Sequence, residues 1–146
     1  MAKYLNSKVT FSEVPDEISL CINITGCKYH CKGCHSPWLW EDTGEELTKE
    51  ILDKLISENP GITCVCFMGG EPADINLLAE GCPVKVAYYT GSTSIPSELN
   101  LKNFNYIKIG PYIKEFGPLS NRFTNQTFYR IDDDMTIHDI TDKFWK

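Results

Sequence analysis

Three cysteines lie close together in the first quarter of the chain, spaced Cys-x3-Cys-x2-Cys: Cys27, Cys31 and Cys34. Thiolates bind iron–sulfur clusters, zinc or copper(I) in preference to hard cations. Three of them can hold three corners of a 4Fe–4S cluster, which normally takes four protein ligands. The fourth iron would then be open to a substrate, as a catalytic metal keeps a free coordination position. The spacing therefore predicts a reactive metal site.

A structural zinc site is the alternative interpretation of the same cysteines. With His30 or His35 they would form a Cys3His ligand set, and the chain would be a non-enzymatic, zinc-stabilised interaction module. Structural zinc sites usually join two separated ligand pairs, whereas these cysteines form one short run. A zinc site would also leave the segment Gly-Gly-Glu-Pro, at Gly69–Pro72, without a role. We therefore favour iron–sulfur binding.

Four of the seven cysteines lie outside this run: Cys21, Cys64, Cys66 and Cys82. Cys64 and Cys66 would project from the same face of a strand, which suggests a second metal or redox site. A free cysteine more often packs as a small buried hydrophobe, and a redox role would require exposure and a lowered thiol pKa. We expect these four residues to be packing residues.

Short apolar runs alternate with helical patterns over residues 18–109. Apolar residues recur at helical spacing over Leu47–Glu58, which Thr43 or Thr48 can cap, and a short helix is predicted over Asp74–Glu80. The predicted strands are Ile18–Thr25, which we take as the first strand, Ile62–Met68, Val84–Thr90 and Tyr106–Ile109. This alternation implies parallel strands, whose carboxyl ends are where such sheets place their chemistry. Both the cysteine run and Gly69–Pro72 follow strands at that edge.

The last third of the chain has a weaker pattern. Proline, glycine and asparagine in Gly110–Thr127 predict a long ordered loop, followed by a strand at Phe128–Ile131 and an acidic turn at Asp132–Asp134. Ile137–Trp145 is predicted as a terminal helix. Because no linker or repeat interrupts the 146 residues, we expect a single domain spanning 1–146.

Composition narrows the class of protein. With 42% hydrophobic and 12% aromatic residues, the chain can bury a core. It has no run of about 18 apolar residues and no secretory leader pattern, so we expect no membrane segment and a cytoplasmic location. The net charge of −6 argues against nucleic acid as a partner. Residues 101–130 are more basic than the rest of the chain. We interpret them as a solvated surface; the alternative is a docking face for an acidic partner or electron donor.

Together, the cysteine run and Gly69–Pro72 resemble the radical S-adenosylmethionine (SAM) superfamily. The small activating proteins of anaerobic ribonucleoside-triphosphate reductase are similar over four further segments: Gly26–Pro37, Tyr89–Gly91, Gly110–Tyr112 and Thr124–Gln126. The resemblance implies an α/β fold, an incomplete (partial) TIM-like βα barrel of mainly parallel strands, with its cofactors at the carboxyl-end mouth.

The resemblance also implies roles for particular residues. Cys27, Cys31 and Cys34 would ligate a 4Fe–4S cluster, and the amino and carboxylate groups of SAM would bind its open iron. An electron from the reduced cluster would cleave SAM into methionine and a 5′-deoxyadenosyl radical. Contacts with SAM would come from two groups of residues: Gly33 and His35 beside the third cysteine, and Gly69, Gly70, Glu71 and Pro72 at the strand-end turn.

The implied partners follow from that chemistry. The radical would abstract hydrogen from a glycine in the glycyl radical loop of the large anaerobic ribonucleotide reductase subunit, and a low-potential donor such as flavodoxin or ferredoxin would supply the electron. Another glycyl-radical enzyme is the alternative partner. Related activases often carry an acidic residue before the Gly-Pro pair, where this chain has Ile109, so Lys108 is not among the predicted site residues.

Overall fold

The computed structural model describes residues 2–11, 13–25, 44–111, 113 and 115–144. Its strands form one sheet in the order β3-β1-β2-β4-β5-β6-β7-β8. The bounds are β1 Lys3–Thr10, β2 Ser19–Ile24, β3 Glu45–Glu46, β4 Cys64–Met68, β5 Lys85–Tyr89, β6 Tyr106–Ile109, β7 Thr127–Ile131 and β8 Ile137–Asp139. The helices are α1 Lys49–Ser57 and α2 Pro72–Ala79, with 3-10 turns at Leu101–Asn103 and Thr141–Phe144.

The four central strands, β2, β4, β5 and β6, pair in parallel. Their ends are level, because Met68 is in register with Tyr89, and Tyr89 with Lys108. We call the edge at which these strands end the carboxyl edge, and the opposite one the amino edge. The outer strands β1, β3, β7 and β8 all pair antiparallel. The positions of the strands predicted from the sequence are confirmed. The sheet is mixed, because it contains both parallel and antiparallel pairs.

Helix α1 forms where the apolar periodicity predicts it. The Thr48 hydroxyl accepts a hydrogen bond from the Ile51 N–H at 3.2 Å, which satisfies a donor that the first helical turn leaves unpaired. Leu52 is buried on the side that faces the sheet. Of the two caps predicted for this helix, Thr48 is therefore confirmed, and Thr43 lies outside the described residues.

Side chains alternate between the two faces of the sheet, and each face has its own core. The helix-side core is covered by α1 and α2, and its largest buried members include Ile22, Phe67, Tyr88 and Ile107. The opposite core is covered by loops and by the C-terminal 3-10 turn, and it contains Cys21, Cys66, Tyr89, Tyr106 and Phe128. Burial on both faces explains why the central strands read as continuous apolar runs.

Two features at the ends of the chain differ from the prediction. Strand β1 precedes β2, so Ile18–Thr25 is not the first strand; β1 pairs antiparallel with it from Tyr4 to Thr10. The predicted helix at Ile137–Trp145 is wrong, because Ile137–Asp139 is strand β8. This strand follows the acidic turn and pairs antiparallel with β7. That pairing satisfies the hydrogen-bonding groups of β7, whereas a nine-residue helix is marginal without strong packing.

In the described part of the chain the sheet does not close into a barrel, because the strands at its two ends, β3 and β8, do not pair with each other. The incomplete barrel stays a prediction. Within the described ranges, neither α1 nor α2 has the length and apolar character needed to cross a bilayer.

Candidate functional site

The predicted cluster cysteines, together with Gly33 and His35, fall in residues 26–43, outside the described part of the chain. Both flanks of this segment are described, and both lie at the carboxyl edge. On one side, Thr25 N–H donates to the Lys3 carbonyl at 2.9 Å. On the other, Gly44 packs against the Tyr4 carbonyl, directly before β3. The chain therefore leaves the sheet two residues before Cys27 and returns beside the same end of β1.

The predicted SAM turn, Gly69–Pro72, lies on the neighbouring strand at this edge. Gly69 and Gly70 follow β4 with φ of 102° and 97°, a region that residues with a side chain rarely adopt. The Gly69 N–H donates to the Tyr89 carbonyl at 3.0 Å, so the turn begins as a continuation of the ladder between β4 and β5. The backbone changes direction immediately afterwards.

Close packing explains why the second position of this turn is glycine. A Cβ on Gly70 would lie 2.8 Å from Ile75 Cδ1 and 3.2 Å from Ile24 Cγ2. A Cβ on Gly69 would meet only ordinary contacts, the nearest being the Ile24 carbonyl oxygen at 3.6 Å. Gly70 is therefore fixed by its neighbours, whereas Gly69 has room beside it.

Glu71 and Pro72 begin α2. Glu71 is the N-cap residue, and its carbonyl accepts a hydrogen bond from the Ile75 N–H at 3.1 Å. Its side chain makes no capping bond and is exposed. Pro72 occupies the first helical position, where its missing N–H has no intrahelical partner to lose. The geometry thus assigns the Glu71 backbone to the helix start, and the residue is exposed at the carboxyl edge.

Three segments that are distant in sequence converge on the end of β6. The Gly110 N–H donates to the Ser92 carbonyl at 2.6 Å, and the Gln126 side-chain amide donates to the Gly110 carbonyl at 3.3 Å. The Asn125 amide donates to the Pro111 carbonyl at 3.0 Å. These residues belong to or adjoin the segments 89–91, 110–112 and 124–126, which carried the resemblance in the sequence. The structure therefore places described residues of all three segments at the carboxyl edge.

Two buried side chains at this edge were not among the site residues predicted from the sequence. Lys108 is 9% exposed, and its ammonium donates to the Gly110 carbonyl at 3.1 Å and lies 5.6 Å from the centre of the Tyr89 ring. Tyr88 is fully buried, and its hydroxyl donates to the Gly70 carbonyl at 2.7 Å. The contacts of Tyr88 with Gly70 and of Lys108 with the Tyr89 ring had no sequence signal, since both depend on the register of β5 with its neighbours.

All four remaining cysteines were predicted to be packing residues, and three of them are buried. Cys21, Cys64 and Cys66 are buried in the opposite core, and Cys82 is half-buried. Burial raises the pKa of the Cys64 thiol to about 12 and that of Cys66 well above its usual value. A hydrogen bond with Cys66 lowers the pKa of Cys21, although burial opposes this. Thiols that are fully buried and protonated do not offer a reactive thiolate.

The amino edge carries a different arrangement, centred on one buried carboxylate. Glu17 is 7% exposed and accepts hydrogen bonds at 2.7 Å from Thr63, 2.9 Å from Lys85 and 2.7 Å from Tyr106. A cavity of about 460 Å³ opens nearby. Its basic residues are already paired, Lys85 with Glu17 and Arg130 with Asp132. We therefore take the carboxyl edge as the candidate site.

The described basic residues of the segment 101–130 do not share one face. Lys108 is buried and Arg130 pairs with Asp132 at the amino edge, whereas Arg122 is exposed in the loop that follows β6. Lys114 lies outside the described residues. The described basic residues therefore belong to different parts of the molecule, and the solvated-surface interpretation fits them better than a docking face.

The family model that matches the chain describes a 4Fe-4S single cluster domain and covers residues 18–92. This match is just over half of the 146 residues and includes the cysteine run, Gly69–Pro72 and strands β2, β4 and β5. No curated protein and no solved structure matches the chain.

Proposed function

Because the chain belongs to the 4Fe-4S single cluster domain family, we propose that it is a radical SAM enzyme that activates anaerobic ribonucleoside-triphosphate reductase. Membership of this family supports binding of a 4Fe–4S cluster, and the family occurs in radical SAM activases. The reaction and the partner are our proposal.

One observation carries the proposal. The flanks of the cysteine segment, Thr25 and Gly44, lie at the same edge of the sheet as the Gly69–Gly70 turn. β2 and β4 are neighbouring parallel strands, so a ligand held by the segment after β2 can reach the turn after β4. This is the arrangement expected if cluster and SAM are bound side by side.

The residues present fit both groups chemically. Cys27, Cys31 and Cys34 provide three thiolates, which leaves one iron of a 4Fe–4S cluster for a non-protein ligand. Beside Gly69 a Cβ would meet nothing closer than 3.6 Å, so the backbone there can be approached closely by a ligand. Backbone carbonyls and the exposed Glu71 carboxylate are suitable acceptors for the ammonium of SAM. We assign Gly33 and His35 to the adenosine part.

Cys27, Cys31 and Cys34 would hold the cluster, which would supply the one electron needed to cleave the C5′–S bond of SAM reductively and so enable hydrogen abstraction from a glycine Cα of the partner. The chain itself holds the two cofactors and orients them. The proposed partner is the glycyl radical loop of the large reductase subunit, with flavodoxin or ferredoxin as electron donor.

Anaerobic reconstitution with iron and sulfide tests this proposal. We expect a cluster that, once reduced, cleaves SAM and produces a glycyl radical signal in paramagnetic resonance spectra of the reductase subunit. Substituting Cys27→Ala should abolish cluster assembly and SAM cleavage, because a lost ligand disrupts the site. Cys82→Ala is the matched control, since Cys82 is half-buried at the end of α2, and should retain both.

Three results would separate the alternatives. Zinc without iron or sulfide in the anaerobically purified protein would replace the enzyme by a zinc-stabilised interaction module. SAM cleavage without a radical on the reductase, but with one on another glycyl-radical enzyme, would change only the partner. An intact, reduced cluster that leaves SAM uncleaved would overturn the enzymatic proposal.

A further inference from the structure

We infer that Tyr88 is a positioning residue: its buried hydroxyl fixes the orientation of the Gly70–Glu71 peptide, and so sets the backbone surface that the turn after β4 offers to SAM. The inference rests on the proposed function for the identity of the ligand. The restraint on the turn stands on the geometry alone.

The position of the Tyr88 ring brings its hydroxyl to the turn after β4. Its ring lies in the helix-side core, fully buried, and packs against Phe104 with ring centroids 6.2 Å apart. From there the hydroxyl donates to the Gly70 carbonyl, in the turn that follows the neighbouring strand β4, at 2.7 Å. Because the ring cannot move within a close-packed core, the carbonyl is held in a fixed direction.

A fixed carbonyl fixes the whole peptide unit. The described peptide bonds include no cis bond, so the Gly70 carbonyl and the Glu71 N–H lie in one plane and point in opposite directions. With the carbonyl directed toward the Tyr88 hydroxyl, the Glu71 N–H points the opposite way within that plane. The Met68–Gly69 peptide, at the start of the turn, is held as well, since the Gly69 N–H donates to the Tyr89 carbonyl at 3.0 Å. Two consecutive residues of β5 therefore hold two consecutive residues of the turn.

Such a restraint matters because both residues of the turn are glycines. Glycine has more backbone freedom than any other residue, and a ligand that binds a mobile turn must bear the entropic cost of ordering it. A hydrogen bond that orders the turn beforehand removes part of that cost from binding. The loss of one neutral hydrogen bond should weaken SAM binding by about three- to tenfold.

The test compares Tyr88→Phe with a matched control, Tyr106→Phe. Tyr106 is also buried and also loses a hydroxyl bond of 2.7 Å, but its partner is Glu17 at the amino edge. The first measurement is amide hydrogen exchange of Gly69, whose N–H is hydrogen-bonded to the Tyr89 carbonyl at the start of the turn, in the protein without SAM. We expect exchange to be about three- to tenfold faster in Tyr88→Phe than in wild type, and unchanged in Tyr106→Phe.

The second measurement is a SAM titration of the reconstituted proteins, read from the paramagnetic resonance signal of the reduced cluster. Tyr88→Phe should assemble a normal cluster and bind SAM about three- to tenfold more weakly, and Tyr106→Phe should bind it as wild type does. Unchanged exchange, unchanged SAM affinity, or an equal loss of affinity in both variants would each overturn the inference. A wild-type protein that assembles its cluster but does not bind SAM would instead overturn the proposed function, and with it the role assigned to Tyr88.

Discussion

The two edges of the parallel strands are stabilised by different chemistry. At the carboxyl edge, the contacts we found are hydrogen bonds to backbone carbonyls, such as those of Gly70 and Gly110, which accept from Tyr88, Lys108 and Gln126. At the amino edge, the central contact is a buried carboxylate, Glu17, with three side-chain donors.

This difference suits the uses proposed for the two edges. Hydrogen bonds to carbonyls fix the path of the backbone. They do so without placing an ion pair at the position where a charged ligand must bind. A buried carboxylate with several donors joins the starts of neighbouring strands, and its charge is satisfied within the protein. In parallel sheets the carboxyl ends of strands generally carry function and the amino ends stability. The predictions below test whether that division holds here.

Removing the charge of Glu17 should have the largest effect on stability. Glu17→Gln loses a charge-assisted bond and leaves buried donors without a full set of acceptors, so we expect a loss of about 3 kcal/mol. The measurement is chemical denaturation of the protein without cofactors. Glu98→Gln is the control, since Glu98 is exposed, and should change stability by less than about 0.5 kcal/mol. An equal effect of both substitutions would contradict the importance of the amino-edge carboxylate.

The effect of Glu17→Gln should also depend on pH. Burial opposes the charge of this carboxylate, but the hydrogen bonds from Thr63, Tyr106 and Lys85 outweigh burial and hold its pKa below the usual value. An acid with a lowered folded-state pKa stabilises the fold above its unfolded pKa and loses that contribution as pH falls through the folded pKa. The stability difference between wild type and variant should therefore be complete above about pH 4.5 and shrink in more acidic solution.

Gly70→Ala should have the next largest effect, at the carboxyl edge. The new Cβ would combine a positive φ of 97° with a contact of 2.8 Å to Ile75, and we expect a loss of about 2 kcal/mol. Gly61→Ala is a close control, because Gly61 has φ of 92° but nothing within 4 Å of the new Cβ. It should lose only about 1 kcal/mol, from backbone strain. Equal losses in denaturation experiments would show that packing around Gly70 contributes little.

Lys108→Met should have the smallest effect, even though it removes a buried charge. The substitution keeps much of the apolar stem, and the Gly110 carbonyl keeps its hydrogen bond from Gln126. The loss of the hydrogen bond from the ammonium is offset because a charge is no longer buried. We therefore expect the free energy of unfolding to change by less than about 1 kcal/mol. A loss as large as that of Glu17→Gln would show that charge is as important at the carboxyl edge as at the amino edge.

The sequence predicted the central strands because each is short, apolar and bounded by turn residues. Tyr106–Ile109 matches β6 residue for residue, and the cap at Thr48 was predicted together with its helix. The outer strands were harder to predict. β1 mixes polar and apolar residues and is a strand because it pairs with β2, and Ile137–Asp139 has helix-like spacing but pairs with β7.

The candidate site divides in the same way. Gly69 and Gly70 could be identified from the sequence, since glycines directly after a strand indicate an unusual backbone path. Tyr88 and Glu17 could not, because the sequence around them contains no sign of their partners, which lie 18 and up to 89 residues away. Lys108 was left out of the predicted site, and only the fold shows that its ammonium contacts the end of β6.

By itself, the sequence determined which residues can do chemistry and which strands they follow. It could do so because ligand type, spacing and local periodicity are properties of short segments. Tertiary structure decided which of these segments meet, which charges are buried, and which hydroxyl orients the glycine turn. Such contacts depend on strand order and register, and these are set by the packing of the whole sheet.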